Sequence, residues 1–406
     1  MTSAGRLLPT TAGSRRSTSA RSGTGLAALG AAVLVGVVLL EPRLGPNAAL
    51  VDPLLTLALL LGLLALAGGK APPALAAWRQ LCPWLLLIAL GTVLSLYTSG
   101  VAAWAVLDIA QSVYSVAAFF GMYAVFWSRR HLMPVFGVAL AVGIVVTTVA
   151  LAATLQPEVR PSGTFYHPNY AGHYLVTSAF VCWYALPWRW MRWVVAAVAA
   201  VGVFLTASFG ALLMCAVLTV HLTWRPLRSR PWLVAYGTAA VVLGLWLGGP
   251  AVVGAMTTDY AASDTLTSAR FERSGDGRLA VWRESLATVP SHPFGVGPDG
   301  LHNLGLISVA REPHNLYVAY LAELGALGFV GLVGLGVALW RHAPRGGVTR
   351  ALLLALAASN LVRETFHYRH MWLALALALV IDQAAERRSA GAAPVRPSVS
   401  GFPTPS

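Results

Sequence analysis

Residues 132–155 read LMPVFGVALAVGIVVTTVALAATL, without a single charge. An apolar run of about 20 residues is what an α-helix needs to cross roughly 30 Å of bilayer hydrocarbon. Backbone N–H and C=O groups find no water there, so the run must satisfy them internally, which a helix does. A spanning strand would instead alternate in polarity over about ten residues. Arg129 and Arg130 close the run on one side.

Outward from this stretch the pattern repeats. Apolar runs at 25–40, 48–68, 82–98, 101–127, 132–155, 172–187, 192–207, 209–224, 232–254, 315–340, 350–363 and 370–382 are the candidate spans. The reading is an all-α, polytopic integral membrane protein with about 12 transmembrane helices and one large extracytoplasmic loop, 255–314. Hydrophobic residues are 57% and charged residues 11% of the chain, with mean hydropathy +0.68. A soluble domain carries about 25% charged residues, so the solvent of this chain is largely lipid. Residues 1–24, rich in Ser, Thr, Gly and Arg, and residues 389–406, rich in Pro, Ser, Gly and Ala, read as disordered tails flanking a transmembrane domain, 25–388. The basic start resembles a signal peptide, but further spans follow at once, so the first run is expected to stay as a helix.

The formal charge is +13. Such a basic balance can mean nucleic acid; here the arginines track the spans instead, so nucleic acid is not expected as a partner. With the N-terminus inside, the inner segments hold 19 Lys and Arg and the short outer ones 4, namely Arg43, Arg160, Arg363 and Arg369. Cytoplasmic segments are the ones enriched in these residues. Both termini are then cytoplasmic. Cys82, Cys182 and Cys215 all lie in apolar runs, with no disulfide framework or CxxC metal site.

The residues suited to chemistry fall on the outer face. Arg160-Pro-Ser-Gly-Thr-Phe-Tyr-His-Pro-Asn-Tyr precedes the sixth span. Pro168 suits the first turn of a helix, and His167 and Asn169 flank a terminus whose free N–H groups favour an anion. In the long loop, residues 277–290 place Leu279, Trp282, Leu286 and Val289 at helical spacing. That predicts a short amphipathic helix on the membrane surface or on the bundle, with Asp276 as its cap. Arg270, Arg273, Arg278 and Arg283 crowd its start, and arginine suits bidentate phosphate contacts. Glu312-Pro-His-Asn-Leu-Tyr opens the tenth span. Pro313 is expected in its first turn, with His314 at the positive end of a long helix. That dipole favours a neutral imidazole able to accept a proton. Asp108, Gln111 and Glu323 lie within spans, where carboxylates are rare and mark function or a buried pair. Arg363, Glu364, His367, Arg369 and His370 form a further outer cluster, read as interfacial or as part of the same pocket.

Taken together, GTFYHPNYAG (163–172), GDGRLAVWRESLATVPSHPFGVGPDG (275–300) and PHNLYVAYLAELGALG (313–328), in this order around one outer loop, resemble the O-antigen ligase and polymerase superfamily of WaaL/Wzy-like membrane glycan transferases. The resemblance covers about half the chain, 160–383. It implies a membrane glycosyltransferase-like fold in a bacterial inner (plasma) membrane. It also implies a donor glycan on undecaprenyl diphosphate, with a glycan, lipid or wall-polymer acceptor, joined without metal or cofactor. It puts the essential His and Arg at His314 and Arg278, with Arg160, His167, Asn169, Arg273, Arg283 and Asn315 as candidate substrate contacts. A second arginine of the family, in a Ser-Arg-Gly segment, is replaced here by Phe in Ser208-Phe209-Gly210. Cleaving an anomeric carbon–diphosphate bond calls for positive charge on the leaving phosphates and a base for the acceptor hydroxyl. Arg278 and His314 are suited to these roles. A transporter of lipid-linked glycan, or a non-catalytic envelope-assembly scaffold, are the alternatives. A transporter would show inverted repeats and broken helices at the midplane.

Overall fold

A computed structural model of the chain describes residues 16–39, 52–67, 74–99, 103–155, 161–228, 268–307 and 313–391. Among the described residues the regular structure is helical, with no strand. The α-helices are α1 (Arg16–Leu39), α2 (Asp52–Ala67), α3 (Ala74–Ser99), α4 (Ala103–Ser128), α5 (Met133–Ala153), α6 (Pro168–Ala185), α7 (Arg189–Thr206), α8 (Phe209–Arg228), α9 (Ser268–Thr288), α10 (Gly300–Asn303), α11 (Leu316–Glu323), α12 (Gly325–His342), α13 (Val348–Ser359) and α14 (Arg369–Gly391). The expected span 232–254, the loop start 255–267 and Arg160 lie outside the described residues.

Five stretches, 80–97, 109–128, 130–153, 189–206 and 325–342, are long and apolar enough to cross a membrane, and four shorter apolar helices accompany them. By this measure of length and composition the described residues supply five spans, not twelve. The all-helical membrane character holds and the full count stays an expectation. In α5, Val135, Val138, Val142, Val145 and Val149 form an exposed stripe, while Phe136, Leu140, Ile144 and Leu151 are buried. An apolar stripe turned outward at helical spacing has lipid as its natural solvent.

The core forms around α14, which packs on α1, α4, α6 and α13. Every residue from Met371 to Ile381 is buried, as expected of a helix apolar on all sides. Elsewhere small residues bring helices close, the mode of association available where lipid is as apolar as leucine. α3 lies along α12, where a Cβ on Gly91 would stand 2.6 Å from the Gly328 nitrogen.

Two ends of the bundle can be told apart by their contacts. At one end Tyr123 bonds Gln383, and Arg130 and Arg387 each sit 4.8 Å from the Trp127 ring. There too Asp382 accepts from Val348 and Thr349 N–H, capping α13. At the other end Asp52, opening α2, makes a two-pronged ion pair with Arg369, opening α14, at 2.7 and 2.9 Å. Arg369 is therefore one member of a part-buried pair that joins two helix starts. This second end also carries the starts of α6 and α11 and the end of α13.

The tenth span differs from its sequence reading. It is two helices, α11 and α12, broken at Leu324, and Gly325 takes φ +67°. The loop after α9 docks against the break. Val296 N–H donates to Ala322 O at 3.1 Å, and Gly297 N–H to Glu323 O at 2.9 Å. Carbonyls that a continuous helix would satisfy internally are satisfied by this loop, which is how a break persists at membrane depth. Gly295, at φ +88°, fits because a Cβ there would stand 2.2 Å from Glu323 O.

Candidate functional site

The segment carrying His314 is held from three sides. Asn315 caps α11, its side-chain oxygen accepting from Tyr317 and Val318 N–H at 3.0 and 3.1 Å. Leu316 N–H donates to Asn360 O at 3.0 Å, tying the start of α11 to the end of α13. Pro313 O accepts from Trp282 Nε1 at 2.6 Å, tying it to α9. Pro313 therefore precedes the cap and is not in the first helical turn. The helix behind His314 is eight residues long, with α12 beyond the break. The long continuous dipole expected there is replaced by a short one.

His314 itself has φ +48°. A side chain other than glycine is uncommon in the left-handed region, although histidine is enriched there. Such a conformation costs about 1–3 kcal/mol and persists where surrounding contacts over-determine it, often at functional sites. The three anchors just described are those contacts.

The helix in the long loop runs from Ser268 to Thr288 and passes through Asp276, so Asp276 is not its cap. The buried face matches the predicted one only in part: Trp282 is half-buried and Val289 packs on the cluster around Val281. Val281 and Ser285 are buried, Val281 among Val296, Leu301, Ile307 and Ala322, whereas Leu279 and Leu286 are 46% and 44% exposed. Trp282 is half-buried and reaches Pro313. Arg278, half-buried, lies one helical turn before Trp282, on the same face of α9. Arg283 is exposed on the same helix. Arg273 belongs to α9 by its backbone.

The α6 segment joins the same end of the bundle. His167 is the N-cap of α6, its Nδ1 accepting from Asn169 N–H at 3.1 Å, and Pro168 is the first helical residue. Asn169 O is 2.7 Å from His173 Nδ1, and His173 Nε2 meets the Ser359 hydroxyl at the end of α13. The Tyr170 and Tyr368 rings lie 4.0 Å apart. Tyr368 Oη accepts from Arg363 Nε at 2.9 Å, and Arg363 NH1 lies 3.1 Å from His314 Nδ1. The α6 start and the His314 segment, some 145 residues apart in sequence, are thus joined through Tyr368 and Arg363. Sequence reasoning noticed Arg363 only as one member of a charged cluster and passed over Tyr368 and His173. The histidine at the sixth position of α6 was the signal available.

The same turn bears Glu364 and His367, whose side chains meet at 3.4 Å, and His367 Nδ1 lies 3.4 Å from the Ser112 hydroxyl of α4. Asp299, at φ +56° before α10, feels this pair. Partial burial of its carboxyl, then the Glu364 carboxylate, raise its pKa above the usual range, while His367 and His302 oppose the rise. Asp108 lies on α4, and Glu323 is the last residue of α11. Among the described residues no group of three or more His, Cys, Asp or Glu is placed to hold a metal ion.

The arginine helix and the histidine segment fall within one matched stretch: residues 171–333 fit the family model described as O-antigen ligase. The match takes in Arg278, Arg283, His314 and Asn315. It supports the superfamily resemblance drawn from the three motifs. The helix start at His167 and Asn169, and the Arg363–Tyr368 turn, lie outside the matched stretch but pack against it. No curated protein matches the chain. At the position where the resemblance leads one to expect a second arginine, Phe209 opens α8 with 46% of its surface exposed.

Proposed function

We propose that the protein is a membrane glycan transferase that takes a glycan from undecaprenyl diphosphate and joins it to an acceptor at the outer face of a bacterial plasma membrane, without metal. In this reading the diphosphate leaves from the anomeric carbon. Arg278 binds its oxygens, and His314 takes the proton of the attacking acceptor hydroxyl. The starts of α6 and α11 add backbone N–H groups where negative charge collects. Arginine is suited to the task because its planar fork meets two phosphate oxygens at once.

The observation that carries this reading is the docking of α9 on the His314 segment through Trp282 and Pro313, within a stretch that matches the O-antigen ligase family. It supports a shared site for two residues 36 positions apart. A broken helix is also a transporter feature. Here the carbonyls at the break accept from the loop at 295–297, which favours transfer over transport.

The reading is tested in proteoliposomes given an undecaprenyl-diphosphate glycan and acceptor. Wild-type protein is expected to form joined product. Arg278→Lys keeps the charge but loses the fork, and should not restore activity. Wild-type-rate product from the Lys variant would reduce Arg278 to a charge on a surface helix.

A further inference from the structure

The turn between α13 and α14 reaches into the site from outside the O-antigen ligase match. Its Arg363 bridges two groups, donating through Nε to Tyr368 Oη and through NH1 toward His314 Nδ1. A guanidinium has five N–H donors, no acceptor, and keeps its charge at any physiological pH. The contact with Nδ1 is therefore possible in one sense only: arginine donates and the imidazole nitrogen accepts. That requires Nδ1 to be unprotonated, which places the ring proton on Nε2.

We infer that Arg363 is the positioning residue for His314, fixing it as the neutral Nε2–H tautomer. In this arrangement Nε2 is a donor, suited to an anionic phosphate oxygen. Proton transfer to either ring nitrogen then has a condition. Acceptance at Nδ1 requires the guanidinium to leave, and acceptance at Nε2 requires a proton on Nδ1, which the guanidinium opposes. Arg363 thus presets Nδ1 as the proton-accepting nitrogen, which is freed when a diphosphate draws the guanidinium away. Tyr368 shares this duty. Its hydroxyl fixes Nε, and its ring is clamped by Tyr170 at 4.0 Å and His173 at 5.5 Å. The rest of the surroundings is also charged or titratable: Glu364 and His367 in the same turn, Asp299 and His302 on the facing loop, and Arg278 on α9.

The catalytic consequence rests on the transferase reading; the tautomer does not, and the two can fail separately. Nitrogen NMR of the full chain, with ¹⁵N-histidine label in lipid nanodiscs and His314 assigned by loss of its signals in His314→Gln, reads the tautomer directly. The expected spectrum has an unprotonated Nδ1 and a protonated Nε2. Arg363→Ala should lose this preference and about 10–100-fold in turnover per folded protein, the cost known for removing the partner that orients a metal-bound histidine. Arg363→Gln, whose amide can still donate to Nδ1, should retain the tautomer and recover part of the rate. A His314 protonated on Nδ1 in the wild-type chain would overturn the inference, as would an unchanged spectrum in Arg363→Ala. If undecaprenyl diphosphate leaves every signal untouched while the tautomer stands as expected, the donor reading fails and the role of Arg363 in orienting His314 survives.

Discussion

His314 combines three properties that seldom coincide. It sits at φ +48°, is flanked by a proline whose carbonyl is bonded and an asparagine that caps a helix, and takes a guanidinium at one ring nitrogen. The first cue, a histidine between proline and asparagine at the head of an apolar run, is legible in sequence. The other properties are not, because Arg363 lies 49 residues downstream and the left-handed backbone leaves no mark on a residue type. Asp299 offers a test of charge at this face. A carboxyl whose folded pKa is raised opposes folding when ionised. The opposition is present above its raised pKa and gone in acid below the unfolded value, where both states are protonated. Asp299→Asn is therefore expected to raise the melting temperature at neutral pH and to lose that advantage in acid. Asparagine tolerates the local φ of +56° as well as aspartate does. A gain that stays constant across pH would assign the effect to something other than the carboxylate.

Among the elements, the pairing of the 293–297 loop with the break between α11 and α12 decides how the site is built. Glycine is common inside transmembrane helices, so Glu-Leu-Gly-Ala-Leu-Gly at 323–328 reads as one continuous span, and its partner thirty residues upstream gives no periodic signal. The amphipathic helix was legible as a helix but not by face. Spacing put Leu279, Trp282, Leu286 and Val289 on one stripe; Trp282 and Val289 do turn inward, but the Val296–Leu301 loop selects Val281 and Ser285 in place of the two leucines. Gly295→Ala is expected to destabilise the fold by at least about 1 kcal/mol from its positive φ alone, and by more because the added Cβ would meet Glu323 O. Gly305 is the control, with φ +66° and nothing within 4 Å of a Cβ. Thermal unfolding should rank Gly295→Ala well below Gly305→Ala. Equal losses would mean that backbone strain, not docking of the loop on the helix break, sets the cost.

For the whole molecule, hydropathy was the legible quantity, because solvation by lipid acts on composition and leaves an unbroken trace in sequence. Helix number was less so, since short apolar helices and a broken span both depart from the twenty-residue rule. The arginine asymmetry predicts that reporters fused after Arg130, Arg230 and Arg345 read cytoplasmic and those within 255–313 read extracytoplasmic. A cytoplasmic signal from that loop would remove the site from the outer face. The two ends of the bundle differ in their contacts: Trp127 with Arg130 and Arg387 at one end, and His167, His314 and Arg363 at the other. What most directly decides whether that second end performs glycan transfer is product formed per folded molecule, measured in reconstituted protein supplied with an undecaprenyl-diphosphate glycan. Wild-type protein is expected to join glycan to acceptor. His314→Ala, inserted and accumulated normally, should lose about 10²–10⁴-fold, the typical contribution of a general base. Near-normal turnover by His314→Ala at reduced abundance would contradict this, leaving His314 a helix-start residue and the proposed transfer without its base.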